Sequence, residues 1–130
     1  MKFLLIILIV LMPISALAGV NKEFVKYTEN ALDALDDVEV AFDSDIATNT
    51  SVNNALNKLD SALKKYSRLN LKEKSIEKEI SWKITISRLT YDLVFYQGIG
   101  SEKHMEAKRY GDEARELFKK YKMGSSRVKK

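Results

Sequence analysis

From Phe24 onward apolar residues recur every three or four positions, the spacing that gathers them on one face of an α-helix. Phe24, Tyr27, Ala31, Leu35 (with Ala34), Val38 and Phe42 step along the first such face. Asn21 is placed to cap this helix, and Glu23 lies in the first turn where the helix dipole favours a carboxylate. The pattern predicts a helix over 22–43. The polar stretch DSDIATNTS then connects to a second, capped by Thr50 or Ser51 and carrying Val52, Leu56 (with Ala55), Leu59, Leu63, Tyr66 and Leu69.

A third helix is predicted over 72–97, with Asn70 and Glu73 spaced as a reciprocal capping pair. WKITISRLTY is rich in β-branched and aromatic residues, and Trp82, Ile84 and Ile86 alternate as a strand would. Against a strand, Trp82, Ile86, Leu89, Leu93 and Tyr96 form one helical stripe, and Ile76, Ile80, Ile84, Tyr91, Val94 and Phe95 widen it. Nothing between Glu73 and Gln97 breaks a helix. As the most broadly apolar of the set, this helix is expected to be the most buried. Gly98 and Gly100 make the next turn. Ser101 caps a fourth helix, over 101–122, that turns Ala107, Tyr110 (with Gly111), Ala114, Leu117 (with Phe118) and Tyr121 inward.

At 1.5 Å per residue these helices run roughly 33, 28, 39 and 33 Å. Two of the three connections are short, which favours antiparallel neighbours. The expected architecture is an all-α, up-down four-helix bundle. The alternative is a set of helical-repeat hairpins, because AKRYGDEARELFKKY (residues 107–121) resembles the second helix of a tetratricopeptide repeat. The preceding helix is about twice too long for that 34-residue unit, and no second copy recurs at that period.

The residues ahead of the first helix read differently. One lysine and the apolar run FLLIILIVL lead to Pro13 and to small residues Ala16 and Ala18, the layout of a secretory signal cleaved after Ala18. The run is short of the ~20 residues that a spanning helix needs, so no stable transmembrane span is expected after cleavage. The expected organisation is a signal over 1–18, one helical domain over 19–122 and a basic flexible tail over 123–130. The expected destination is the periplasm or the cell exterior. The chain has no cysteine, which removes disulfides, thiolate metal sites and thiol nucleophiles.

Charge divides the chain. Residues 19–63 hold three lysines and nine acids, whereas residues 64–130 hold eighteen basic residues and nine acids. Part of this asymmetry can be neutralised internally: in an up-down bundle the first helix neighbours the fourth, so Glu29, Asp33, Asp36 and Asp37 lie near Lys108, Arg115 and Lys119. The remainder points to an anionic partner, an unknown protein or an anionic envelope surface, met by Lys119, Lys120, Lys122, Arg127, Lys129 and Lys130. No nucleic-acid reading motif is present.

Other chemistry is sparse. DSDIATNTSVNN opens like a calcium loop but has Thr48 where the turn glycine belongs and Asn54 where the bidentate glutamate belongs. His104 is the sole histidine, too few for a triad or a zinc site, and is expected at the surface. The architecture resembles that of cytochrome b562. The haem-ligand positions of that bundle are occupied here by Phe24 or Tyr27 and by Phe118 or Tyr121, so no cofactor is expected. No catalytic or metal residues are assigned, and an enzyme is not expected. The function expected is a non-catalytic binding or interaction module, with a homodimer as one form. The alternative is a carrier of a small apolar ligand, held in a cavity lined by Trp82, Tyr91, Phe95 and Tyr96.

Overall fold

The structure, a computed structural model, describes residues 20–44 and 48–128, with side chains described as far as Met123. The signal-cleavage residues Ala16 and Ala18, together with Lys129 and Lys130, lie outside the described residues. Among the described residues four helices account for the fold: α1 (Lys22–Asp43), α2 (Asn49–Lys64), α3 (Ile76–Gln97) and α4 (Glu102–Val128), with a 3-10 turn over Lys65–Arg68 after α2. No strand occurs among the described residues.

The molecule is an up-down bundle made of two helical hairpins. α1 packs chiefly on α2 and α3 chiefly on α4, and α1 also touches both helices of the second hairpin. At one end Phe24 of α1 meets Tyr66, Phe118 and Tyr121, with ring centroids 5.2–6.4 Å apart. At the other, Phe42 meets Tyr91, Phe95 and His104 at 4.8–6.2 Å. The starts of α1 and α3 therefore share a pole with the ends of α2 and α4.

α1 begins as its cap predicts: the Asn21 side chain accepts from the Phe24 N–H at 3.0 Å. α2 begins two residues earlier than expected, because Thr48 and Ser51 form a reciprocal capping box. α3 begins later than expected. The chain turns over Lys72–Ser75, with Lys74 in the left-handed region at φ +66°, so a helix cannot run through it and Ser75 is the cap. α4 continues to Val128, beyond the expected end at Lys122 and into the stretch read as tail.

The marked departure is the facing of α3. Trp82, Leu89, Leu93, Phe95 and Tyr96 are exposed, and the buried positions are Ile80, Ser81, Ile84, Ser87, Thr90, Tyr91 and Val94. Close approach explains the choice. The buried Ser87 hydroxyl donates to the Ala107 carbonyl oxygen of α4 at 2.7 Å. Ser81 and Thr90 return their hydroxyls to their own helix, to Lys78 and Ile86. These hydroxyls are satisfied internally and carry little bulk. The third helix is thus no more buried than the first: each has seven buried positions in twenty-two residues.

Candidate functional site: a basic pole

The charge asymmetry is partly resolved between α1 and α4. Arg115 reaches Asp36 at 2.6 Å and Glu39 at 3.0 Å, Lys108 reaches Asp43 at 3.1 Å, and Lys122 lies 3.7 Å from Glu29. Asp37 turns instead to Lys58 of α2, at 2.6 Å. Burial pulls the Arg115 guanidinium down, but Glu39 and Asp36 together outweigh it and leave it raised. Burial also raises the Glu39 carboxyl above its usual range, more than Arg115 lowers it. Gly111 is the close-approach point of these helices: a Cβ there would lie 3.0 Å from Leu35 Cδ2 and 3.2 Å from Glu39 Oε2.

With those pairs formed, the connection between α2 and α3 remains. Residues 64–78 contain Lys64, Lys65, Arg68, Lys72, Lys74 and Lys78 against two acids, Glu73 and Glu77. Among the described residues none of the six basic side chains takes part in an ion pair. All but the half-buried Lys65 are exposed.

The fold brings this connection to the same pole as the end of α4. The Tyr121 hydroxyl accepts from the Asn21 N–H at 2.8 Å and donates to the Glu77 carboxylate at 2.8 Å. One side chain so ties the start of α1, the start of α3 and the end of α4 together. Lys119 and Lys120 are exposed there, while Lys122 leans over the Phe118 ring at 4.6 Å as well as toward Glu29. Arg127 lies on the helical backbone of α4. Sequence reasoning identified the α4 end of this pole and missed the connection, because its six cations were divided between a second helix running to Leu69 and a third beginning at Lys72.

The aromatic residues expected to line one cavity are not brought together. Tyr91 is fully buried between Phe42 and His104, whereas Trp82, Phe95 and Tyr96 are exposed. His104 is buried rather than at the surface. Its Nδ1 accepts from the Gly100 N–H at 2.8 Å, and Nε2 lies 3.2 Å from Asp43 Oδ1, so it closes the α3–α4 turn. Among the described residues no group of three or more His, Cys, Asp or Glu side chains could hold a metal ion, and no helix is long and apolar enough to cross a membrane. No known protein family, curated protein or solved structure matches the chain.

Proposed function

We propose that the chain is a non-catalytic, exported interaction module that docks on an anionic partner surface through its basic pole. The observation that carries this reading is the convergence of unpaired cations: Lys64, Arg68, Lys72, Lys74 and Lys78 from the α2–α3 connection stand at the same end as Lys119 and Lys120. Elsewhere in the bundle the basic residues facing α1 are neutralised by it. A pole left charged in this way attracts phosphate or carboxylate groups at long range, with each cation near an anionic surface contributing about 1 kcal/mol. The carrier reading lacks a shared aromatic cavity.

The test is binding of the mature chain, from Gly19, to phosphatidylglycerol vesicles, to phosphatidylcholine vesicles and to polyglutamate at two salt concentrations. Expected is salt-sensitive binding to an anionic arm, with lipid and polyglutamate distinguishing headgroups from an acidic protein. The triple variant Lys64→Glu/Arg68→Glu/Lys72→Glu should weaken it by roughly a hundredfold. Lys103→Glu, beyond the opposite pole, should leave it unchanged. Binding to neither anionic probe, or binding indifferent to salt and to the triple reversal, overturns the reading.

A further inference from the structure

The outward face of α3 is a second surface, built from different residues. Trp82, Ile86, Leu89, Leu93 and Tyr96 follow one another at spacings of four, three, four and three, the period of a coiled-coil seam. Ile86 is half-buried, and the other four are exposed, from 42% at Leu93 to 86% at Tyr96. A helix serving only a monomeric bundle turns its large apolar side chains inward and its hydroxyls outward. α3 departs from this on both sides: Ser81, Ser87 and Thr90 are inside with Ile80, Ile84, Tyr91 and Val94, while Trp82, Leu89, Leu93 and Tyr96 are outside. Ser87 meets α4 at Ala107, and the stripe on the other side is left about half open by the described chain.

We propose that this face is covered by a second copy of the chain, docked α3 to α3 in antiparallel order about a two-fold axis near Leu89. Size supports the pairing. Allowing about 200 Å² for each large side chain, the exposed parts of Trp82, Leu89, Leu93 and Tyr96 come to roughly 450 Å². That falls within the range of the largest apolar patch on a monomer, about 300–600 Å², a patch that is often functional. Two such patches give roughly 900 Å² before any polar rim is counted, about three quarters of the ~1,200 Å² at which specific interfaces begin.

The pattern is also self-complementary, as a two-fold interface requires. Read in either direction the stripe runs aromatic, aliphatic, Leu89, aliphatic, aromatic. Beside it an open furrow between α2 and α3, with cavities of about 340 Å³ and 640 Å³ sharing Leu63 and Thr85, gives the projecting aromatic of the other copy a place to lie.

Charge selects the orientation. The Trp82 end of the stripe adjoins Lys78 and the cationic α2–α3 connection, so parallel docking would set two basic poles side by side. Antiparallel docking sets each beside the carbonyl end of the other copy's α3, which carries partial negative charge. It also parts the poles by about the length of the stripe, about 21 Å, or roughly twice the Debye length.

Sedimentation equilibrium of the mature chain across the micromolar range tests the pairing. Expected is a reversible monomer–dimer equilibrium in which Leu89→Glu raises the dissociation constant by roughly a hundredfold without loss of far-ultraviolet helicity. Val40→Glu, on the exposed side of α1, should leave it unchanged. Since the chain has no cysteine, single cysteines report orientation. Leu89→Cys should cross-link to itself, whereas Trp82→Cys and Tyr96→Cys should cross-link to each other when mixed and not each to itself. A chain monomeric throughout, a dimer indifferent to Leu89→Glu, or self-cross-linking at Trp82→Cys overturns the proposal. None of these outcomes bears on anion binding by the basic pole.

Discussion

The Ser87 hydroxyl donates to the Ala107 carbonyl oxygen at 2.7 Å across the α3–α4 contact, and both residues are fully buried. A bond of this length holds two helices at a separation that a large side chain would not permit. Two positions further along, Leu89 is 52% exposed. Ser87→Leu should therefore destabilise the bundle by about 1–3 kcal/mol through overpacking, while Leu89→Ser in dilute, monomeric protein should cost less than about 1 kcal/mol. Urea unfolding of the two variants gives the comparison. A reversed order would place Leu89 in the core.

Three buried tyrosines divide by whether the hydroxyl has a partner. Tyr66 and Thr28 share a hydrogen bond of 2.6 Å, and Tyr91 Oη is buried without one. Removing one member of a buried pair leaves the other unsatisfied, whereas removing an unpartnered group relieves a cost already present. Tyr66→Phe should lower stability by about 1–2 kcal/mol. Tyr91→Phe should be neutral or stabilising by up to about 1 kcal/mol, read from the same unfolding curves.

The same residues govern the alkaline limit. Burial pushes the Tyr66 and Tyr121 phenols up to about 12, and the Asn21 and Thr28 hydrogen bonds do not offset it; Tyr91 is raised as well, again mainly by burial. An unfolded tyrosine ionises near 10. Between these values the folded state holds protons that the unfolded state releases, so stability is complete below about pH 10 and falls as pH rises toward 12. Equilibrium unfolding at stepped pH should show that loss, and the loss should be smaller in Tyr91→Phe.

Gly111 sits where α4 crosses α1, with Leu35 and Glu39 already at contact distance from its missing side chain. Leu35 is fully buried and cannot retreat. Gly111→Val should cost about 2–3 kcal/mol and loosen the Arg115–Glu39 pair. Thermal unfolding measures the cost, and an unchanged midpoint would mean the two helices are further apart than the structure places them.

Much of this fold is legible in the sequence. The Asn21 cap, the α1 stripe from Phe24 to Phe42 and the Gly98–Gly100 turn all act locally, and periodicity and capping chemistry report them directly. α1–α4 charge pairing was legible too, once antiparallel order placed the first helix beside the fourth. The facing of α3 was not. Its two sides are both plausible interiors, one with large apolar residues and one with Ser81, Ser87 and Thr90, and the decision depends on the nearness of Ala107, a tertiary fact. The basic pole was half legible for a related reason: the residue 64–78 cations and the end of α4 are distant in the chain and are brought to one end by tertiary contacts, among them Tyr121 with Glu77.

Trp82, the single tryptophan, reports directly on the outward face of α3. The decisive measurement is its emission and acrylamide quenching in dilute Leu89→Glu protein, where no second copy covers the stripe. With 54% of the residue exposed, the expected result is red-shifted emission and quenching at roughly half the rate of free tryptophan. Blue-shifted emission with a shielded Trp82 would contradict it, and would mean that α3 turns its large apolar stripe into the bundle and leaves no face for a partner.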